Sequence, residues 1–172
     1  MGNEPVAADE YRSAMARLGG AVTLVTTDGP AGRHGMAATA VCSVTDTPPM
    51  LLVCVNHSAR SNAMIKRNGV FCVNVLCSEH KELVSRFAER VTGADRFENE
   101  HDWTTQRTGS PSLISALAGL DCRVEQQIEV GTHTLFIGSV HAIRLGSVGH
   151  GLVYFDRRLQ QVHGAAPSSQ DA

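Results

Sequence analysis

The chain has 172 residues, 42% hydrophobic and 19% charged, with a formal net charge of −2. That length suits one domain that buries a core without disulfide staples, and the composition excludes a disordered chain. No long basic run offers nucleic acid a footprint, and no apolar run nears the ~20 residues of a membrane helix or resembles a secretory leader, so the protein is expected in the cytoplasm.

In chain order, residues 1–10 read as a flexible tail ahead of a domain over 11–164, and residues 165–172 as a disordered end. Residues 8–18 place Tyr11, Met15 and Leu18 on one helical face, and Gly19-Gly20 would end that helix. Residues 21–27 (AVTLVTT) are β-branched and strand-like, and Asp28-Gly29-Pro30 turns the chain. Strands are expected over 35–45 and 50–56, divided by Asp46-Thr47-Pro48-Pro49. A short helix over 59–66 stops at Asn68-Gly69; residues 70–76 (VFCVNVL) form a strand, and 79–89 a helix facing inward through Leu83, Val84 and Phe87.

Residues 90–110 read as a long polar loop and 113–120 as a weak helix. Strands follow over 121–130 and 133–144, joined at Gly131-Thr132, then over 151–155 and 159–163. Six to eight short strands with too few helices for βαβ units predict a mainly β fold with flanking helices, an antiparallel barrel. No Gly-x-Gly-x-x-Gly follows a strand, so a nicotinamide cofactor would bind without a Rossmann fingerprint.

The candidate chemistry lies along a few segments. Ala37 to Ser43 is a strand of small residues and hydroxyls. It makes either a wall for a flat ring, with Thr39, Ser43 and amides donating, or a strand packed tightly beneath a helix. Asn56-His57-Ser58-Ala59-Arg60-Ser61 ends a strand and starts a helix, where free amides and Arg60 suit phosphate, although Ser58 or Ser61 could simply cap. Asn74 interrupts an apolar strand and must bond either a ligand or a neighbouring strand. His133 follows a turn, where histidines are more often surface groups.

Cysteines 42, 54, 72, 77 and 122 read as reduced, mostly buried thiols, and no zinc or other metal site is expected. No nucleophile elbow or carboxylate pair supports hydrolysis.

The segments Gly35-Met36-Ala37-Ala38-Thr39-Ala40-Val41-Cys42-Ser43-Val44, Pro48-Pro49, Leu52-Val53-Cys54-Val55-Asn56, Phe71 to Leu76, Gly131-Thr132-His133 and Leu152-Val153-Tyr154-Phe155 resemble the flavin reductase domain family. Its members are short-chain NAD(P)H:flavin oxidoreductases serving two-component monooxygenases. Within it, Thr26 to Arg33 and Ala40 to Pro49 are most similar to the reductase of pyrimidine utilisation and the reductase component of 4-hydroxyphenylacetate 3-monooxygenase.

The resemblance implies an FMN-binding split β-barrel, a homodimer, and reduced FMN (or FAD) passed to a separate oxygenase. It would place the flavin ring against Ala38, Thr39, Ala40, Val41, Cys42 and Ser43, and its phosphate near Asn56, Ser58, Arg60 and Ser61. Asn74 would meet the ribityl chain, with Ser85 and Phe87 by the same pocket. NADH (or NADPH) would lie near His133 and Tyr154, where Thr132 replaces the family's acid and His57 a common arginine. Direct hydride transfer needs no catalytic side chain or metal. A flavin oxidase, a ferric reductase, or a non-catalytic flavin sensor or carrier are the alternatives on the same barrel.

Overall fold

The β-branched and apolar runs become strands that share one antiparallel sheet. The structure, a computed structural model, describes residues 4–88, 95–147 and 149–164; the end at 165–172, expected to be disordered, lies outside them. The strands are β1 (Gly20–Ala21), β2 (Thr23–Thr27), β3 (His34–Ala38), β4 (Val41–Asp46), β5 (Pro49–Asn56), β6 (Val70–Val75), β7 (Trp103–Thr105), β8 (Pro111–Leu113), β9 (Ala118–Val130), β10 (His133–Leu145), β11 (Gly151–Phe155) and β12 (Arg158–Val162). The helices are α1 (Ala8–Met15), α2 (Arg60–Asn68) and α3 (Lys81–Ala88).

Seven strands form the main sheet in the order β3-β2-β6-β9-β10-β5-β4, with β1-β11-β12 and β7-β8 as smaller sheets. The protein is thus mainly β with three helices among the described residues. Strands from both halves of the sheet meet in one core: Val25 of β2, Val53 and Val55 of β5, Phe71 and Val73 of β6, Cys122 of β9 and Phe136 of β10. Such contact requires the sheet to curl around them. A second cluster beneath α3 packs Phe87 edge-on to Phe97, with ring centres 5.3 Å apart, and Trp103 against both. Each such buried side chain contributes roughly 1.5–3 kcal/mol.

Three expectations are corrected, the first being the long loop over 90–110, which contains β7 among its described residues. The run expected as one strand over 35–45 is broken at Thr39-Ala40, because β3 pairs with β2 at one sheet edge and β4 with β5 at the other. The chain crosses between edges there, and three residue steps span at most ~11 Å, so the edges lie side by side. The weak helix over 113–120 is absent. Residues 111–113 pair with β7 and β9 starts at Ala118, which faces Val75, so ladder pairing outweighs a slight helical preference. Asn68-Gly69 does stop α2, with Gly69 in the left-handed region at φ 69°.

Candidate active site

Thr39 to Cys42, where the chain changes edges, floor an open groove of about 800 Å³, backed by Leu52 and Cys54 of β5. Its walls are α1, through Tyr11, Arg12 and Met15, and the β11–β12 hairpin, through Tyr154 and Arg157. Gly20 allows β1 to approach closely, since a Cβ there would lie 3.3 Å from Cβ of Thr39. The apolar face of α1 is not sunk in the core: Tyr11 is 57% and Met15 43% exposed. That volume falls within the ~300–1,000 Å³ usual for small-molecule clefts.

Strand geometry extends this surface. Leu52, Cys54 and Asn56 share one face of β5, two residues apart, and Asn56 lies opposite His133 of β10. Asn56 Oδ1 accepts hydrogen bonds from the Ser58 amide and hydroxyl, both at 2.8 Å. Nδ1 of His133 lies 2.9 Å from the Thr132 hydroxyl, so a hydroxyl fixes the imidazole where the resemblance led one to expect an acid.

The hairpin carrying His133 is tied down by Glu129. Its carboxylate meets Lys66 Nζ at 2.7 Å and His57 Nε2 at 2.5 Å, and accepts from the Thr134 hydroxyl at 2.9 Å. The hydrogen bonds from Lys66 and then Thr134 hold that carboxyl well down, to about 2.

Not every expected site residue reaches the groove. Asn74 is fully buried: its amide donates to the Leu24 carbonyl and the Thr26 hydroxyl, both at 3.1 Å, and Oδ1 accepts from the Leu113 amide at 2.7 Å. Of the two partners its sequence allowed, neighbouring strands hold Asn74 here, through two backbone groups and the Thr26 hydroxyl, and it does not line the groove. Phe87 belongs to the second core cluster, not a pocket wall. Ser85 is exposed on α3 and its hydroxyl reaches Lys81 O, while Ser61 is 2% exposed at the start of α2. Ala38 packs on the main core, and Ser43 lines a smaller cleft of about 340 Å³ that shares Ala21, Val41 and Cys42 with the groove. Ser58 and Arg60 are exposed.

Sequence reasoning missed a cationic cluster nearby. Buried His34 lies 3.4 Å from Nη1 of Arg96, which donates to the Gly35 carbonyl at 2.5 Å. Burial, then the charges of Arg96 and Arg60, lower the His34 imidazole to about 4. Its members come from distant parts of the chain, and no local motif announces them. A second omission is His80, whose Nδ1 sits 3.2 Å from Cys77 Sγ. No group of three or more metal-ligating side chains occurs among the described residues, and no helix among them is long and apolar enough to cross a membrane.

A floor of small residues meets aromatic and cationic walls, and the β5 face continues from it to the Asn56–His133 pair, a combination whose chemistry suits flat rings and phosphates. The flavin reductase like domain model matches residues 15–163. A relative from Pantoea ananatis, "FMN reductase (NADH) RutF", is 51% identical over 149 residues, covering 87% of this chain and 78% of the relative. One of the same name from Variovorax paradoxus is 49% identical, with 92% and 86% covered.

Among solved structures, the flavin reductase component BorF of a bacterial two-component tryptophan halogenase superposes with a TM-score of 0.86 at 26% identity, covering 92% of this chain and all of that one. The NADH:FAD oxidoreductase SgcE6 of Streptomyces globisporus C-1027, in complex with NAD and FAD fragments, gives 0.82 at 27% identity, with 96% and 99% covered. With the match spanning nearly the whole domain, this chain belongs to the flavin reductase like domain family.

Proposed function

We propose that the protein is an NADH-dependent FMN reductase, built on an FMN-binding split β-barrel, that passes reduced flavin to a separate oxygenase. One observation carries the reading: Thr39 to Cys42 and Tyr154 line a single groove whose β5 face continues to Asn56 and His133. The relatives named FMN reductase (NADH) support the choice of FMN and NADH, and the halogenase component supports an oxygenase-type consumer. The curled sheet whose edges meet without pairing at Thr39-Ala40 supports the split barrel.

The flavin supplies the hydride-accepting ring when bound, and the chain's residues hold the two reactants together. Small side chains from Thr39 to Cys42 leave room for a ring to lie flat, and amides and the Thr39 hydroxyl there favour negative charge on it. Asn56, Ser58 and Arg60 offer donors to phosphate, and His133, steadied by Thr132, faces the reductant. Openness of the groove suits release of the reduced product.

Beside Leu52 and Cys54 at the back of the groove, the same face of β9 and β10 presents Leu135 and Ile137, with Ile128 and Val130 42% and 53% exposed. A second copy covering that face would make the homodimer. The cytoplasm, with its NADH and reducing poise, suits both the reaction and the five unpaired cysteines.

Purified protein mixed with NADH and excess FMN tests the reading, with steady NADH loss expected. A tight yellow protein without turnover would make it a flavin carrier instead. His133→Ala should raise the KM for NADH while flavin affinity stays near wild type.

A further inference from the structure

The β11–β12 hairpin turns through Asp156 and Arg157, with φ of 47° and 63°. Two-residue turns of this hand favour Asn-Gly or Asp-Gly, because side chains other than glycine's are strained there. A long cationic side chain thus occupies the position where glycine would be easiest, and such strain persists only where the surroundings fix it. Here α1 does so: the Asp156 amide donates to the Ala16 carbonyl at 2.6 Å, and Nη2 of Arg157 to the Ser13 hydroxyl at 3.3 Å. The guanidinium therefore stands on the groove wall beside Tyr154. Arg12, the arginine on the α1 wall, is paired with Asp9, whereas no described carboxylate forms an ion pair with Arg157.

We propose that Arg157 binds the pyrophosphate of the nicotinamide dinucleotide and sets the affinity for the reductant. This rests on the groove being the flavin reductase site. The flavin phosphate already has donors at Asn56, Ser58 and Arg60, beyond the β5 end of the floor. A nicotinamide stacked over that floor leaves its own phosphates to run along the wall, where a fixed fork of N–H donors suits paired phosphate oxygens. Glycine at this turn would relieve strain but supply neither the Ser13 contact nor a charge on the groove wall.

The test uses Arg157→Gly, which the turn accepts without strain, and Arg157→Lys, which keeps the charge without the fork. Calorimetric titration of NAD+ and of nicotinamide mononucleotide into FMN-saturated protein is read beside steady-state kinetics. Arg157→Gly should weaken NAD+ binding and raise the KM for NADH roughly tenfold, the worth of one charge-assisted contact. FMN affinity and kcat at saturating NADH should stay within about twofold, mononucleotide binding should fall less than NAD+ binding, and the melting temperature should not drop. Arg157→Lys should recover part of the loss. Unchanged NAD+ affinity in Arg157→Gly, or lost FMN affinity in its place, overturns the assignment while wild-type turnover leaves the reductase reading intact. A wild-type protein that neither binds NAD+ nor oxidises NADH overturns the reading of the groove itself.

Discussion

Replacing Asn74 with alanine separates a scaffold role from a ligand contact. The side chain is fully buried and donates to Leu24 O and Thr26 Oγ1 while accepting from the Leu113 amide at 2.7 Å. In the variant the Leu113 N–H has lost its partner in a place water does not reach, at about 1–3 kcal/mol. The small void and the two abandoned acceptors bring the total to about 2–4 kcal/mol. For a domain of this size, 1 kcal/mol shifts the melting temperature by about 2–4 °C, so a fall of roughly 5–15 °C is expected. Thermal unfolding by circular dichroism reads this, and an FMN titration in the cold reads affinity, which should stay within about threefold of wild type. A variant that melts like the parent but fails to bind FMN would refute the reasoning and move Asn74 to the ligand.

Three further outcomes follow from the same geometry. Gly138→Ala would set a Cβ 2.6 Å from the Phe71 ring and 3.1 Å from Cβ of Cys122, so the ring must move and unfolding should come about 1–3 kcal/mol more easily; an unchanged denaturation midpoint refutes it. Thr132→Ala removes the 2.9 Å contact to His133 and should raise the KM for NADH a few-fold with FMN affinity intact; an equal loss of both would contradict the separation of roles. His34 is lowered from 6.5 to about 4, so the unfolded chain takes up the proton first as the pH falls. Its contribution is therefore complete above about pH 6.5 and lost between there and pH 4. Melting temperatures of wild type should fall more steeply than those of His34→Gln across that window, and parallel curves would exclude the effect.

Much of the strand layout was legible because alternation in β5 and β10, and the apolar run of β6, are written directly in the side chains. The stop at Asn68-Gly69 was equally plain, since glycine alone is at ease at φ 69°. The break at Thr39-Ala40 was not, because neither residue disfavours a strand; only the pairing of its neighbours with opposite edges interrupts it. Asn74 was ambiguous for a related reason: an amide in an apolar strand needs partners, but its acceptor's donor, Leu113, is 39 positions away. The His34–Arg96 contact, 62 positions apart, carried no local signature at all. For the groove, the small residues of its floor and Tyr154 stood out in the sequence, whereas the walls supplied by α1 and Arg157 emerged only when opposite ends of the domain came together.

That meeting has a bearing on biogenesis. During synthesis the curved sheet has all seven of its strands once β10 leaves the ribosome, yet the cleft still lacks its far wall until the hairpin carrying Arg157 emerges and grips α1 through Ala16 and Ser13. A nascent chain short of that hairpin would thus have its seven strands while the groove stands open on one side and Leu152 has yet to dock in the second core cluster.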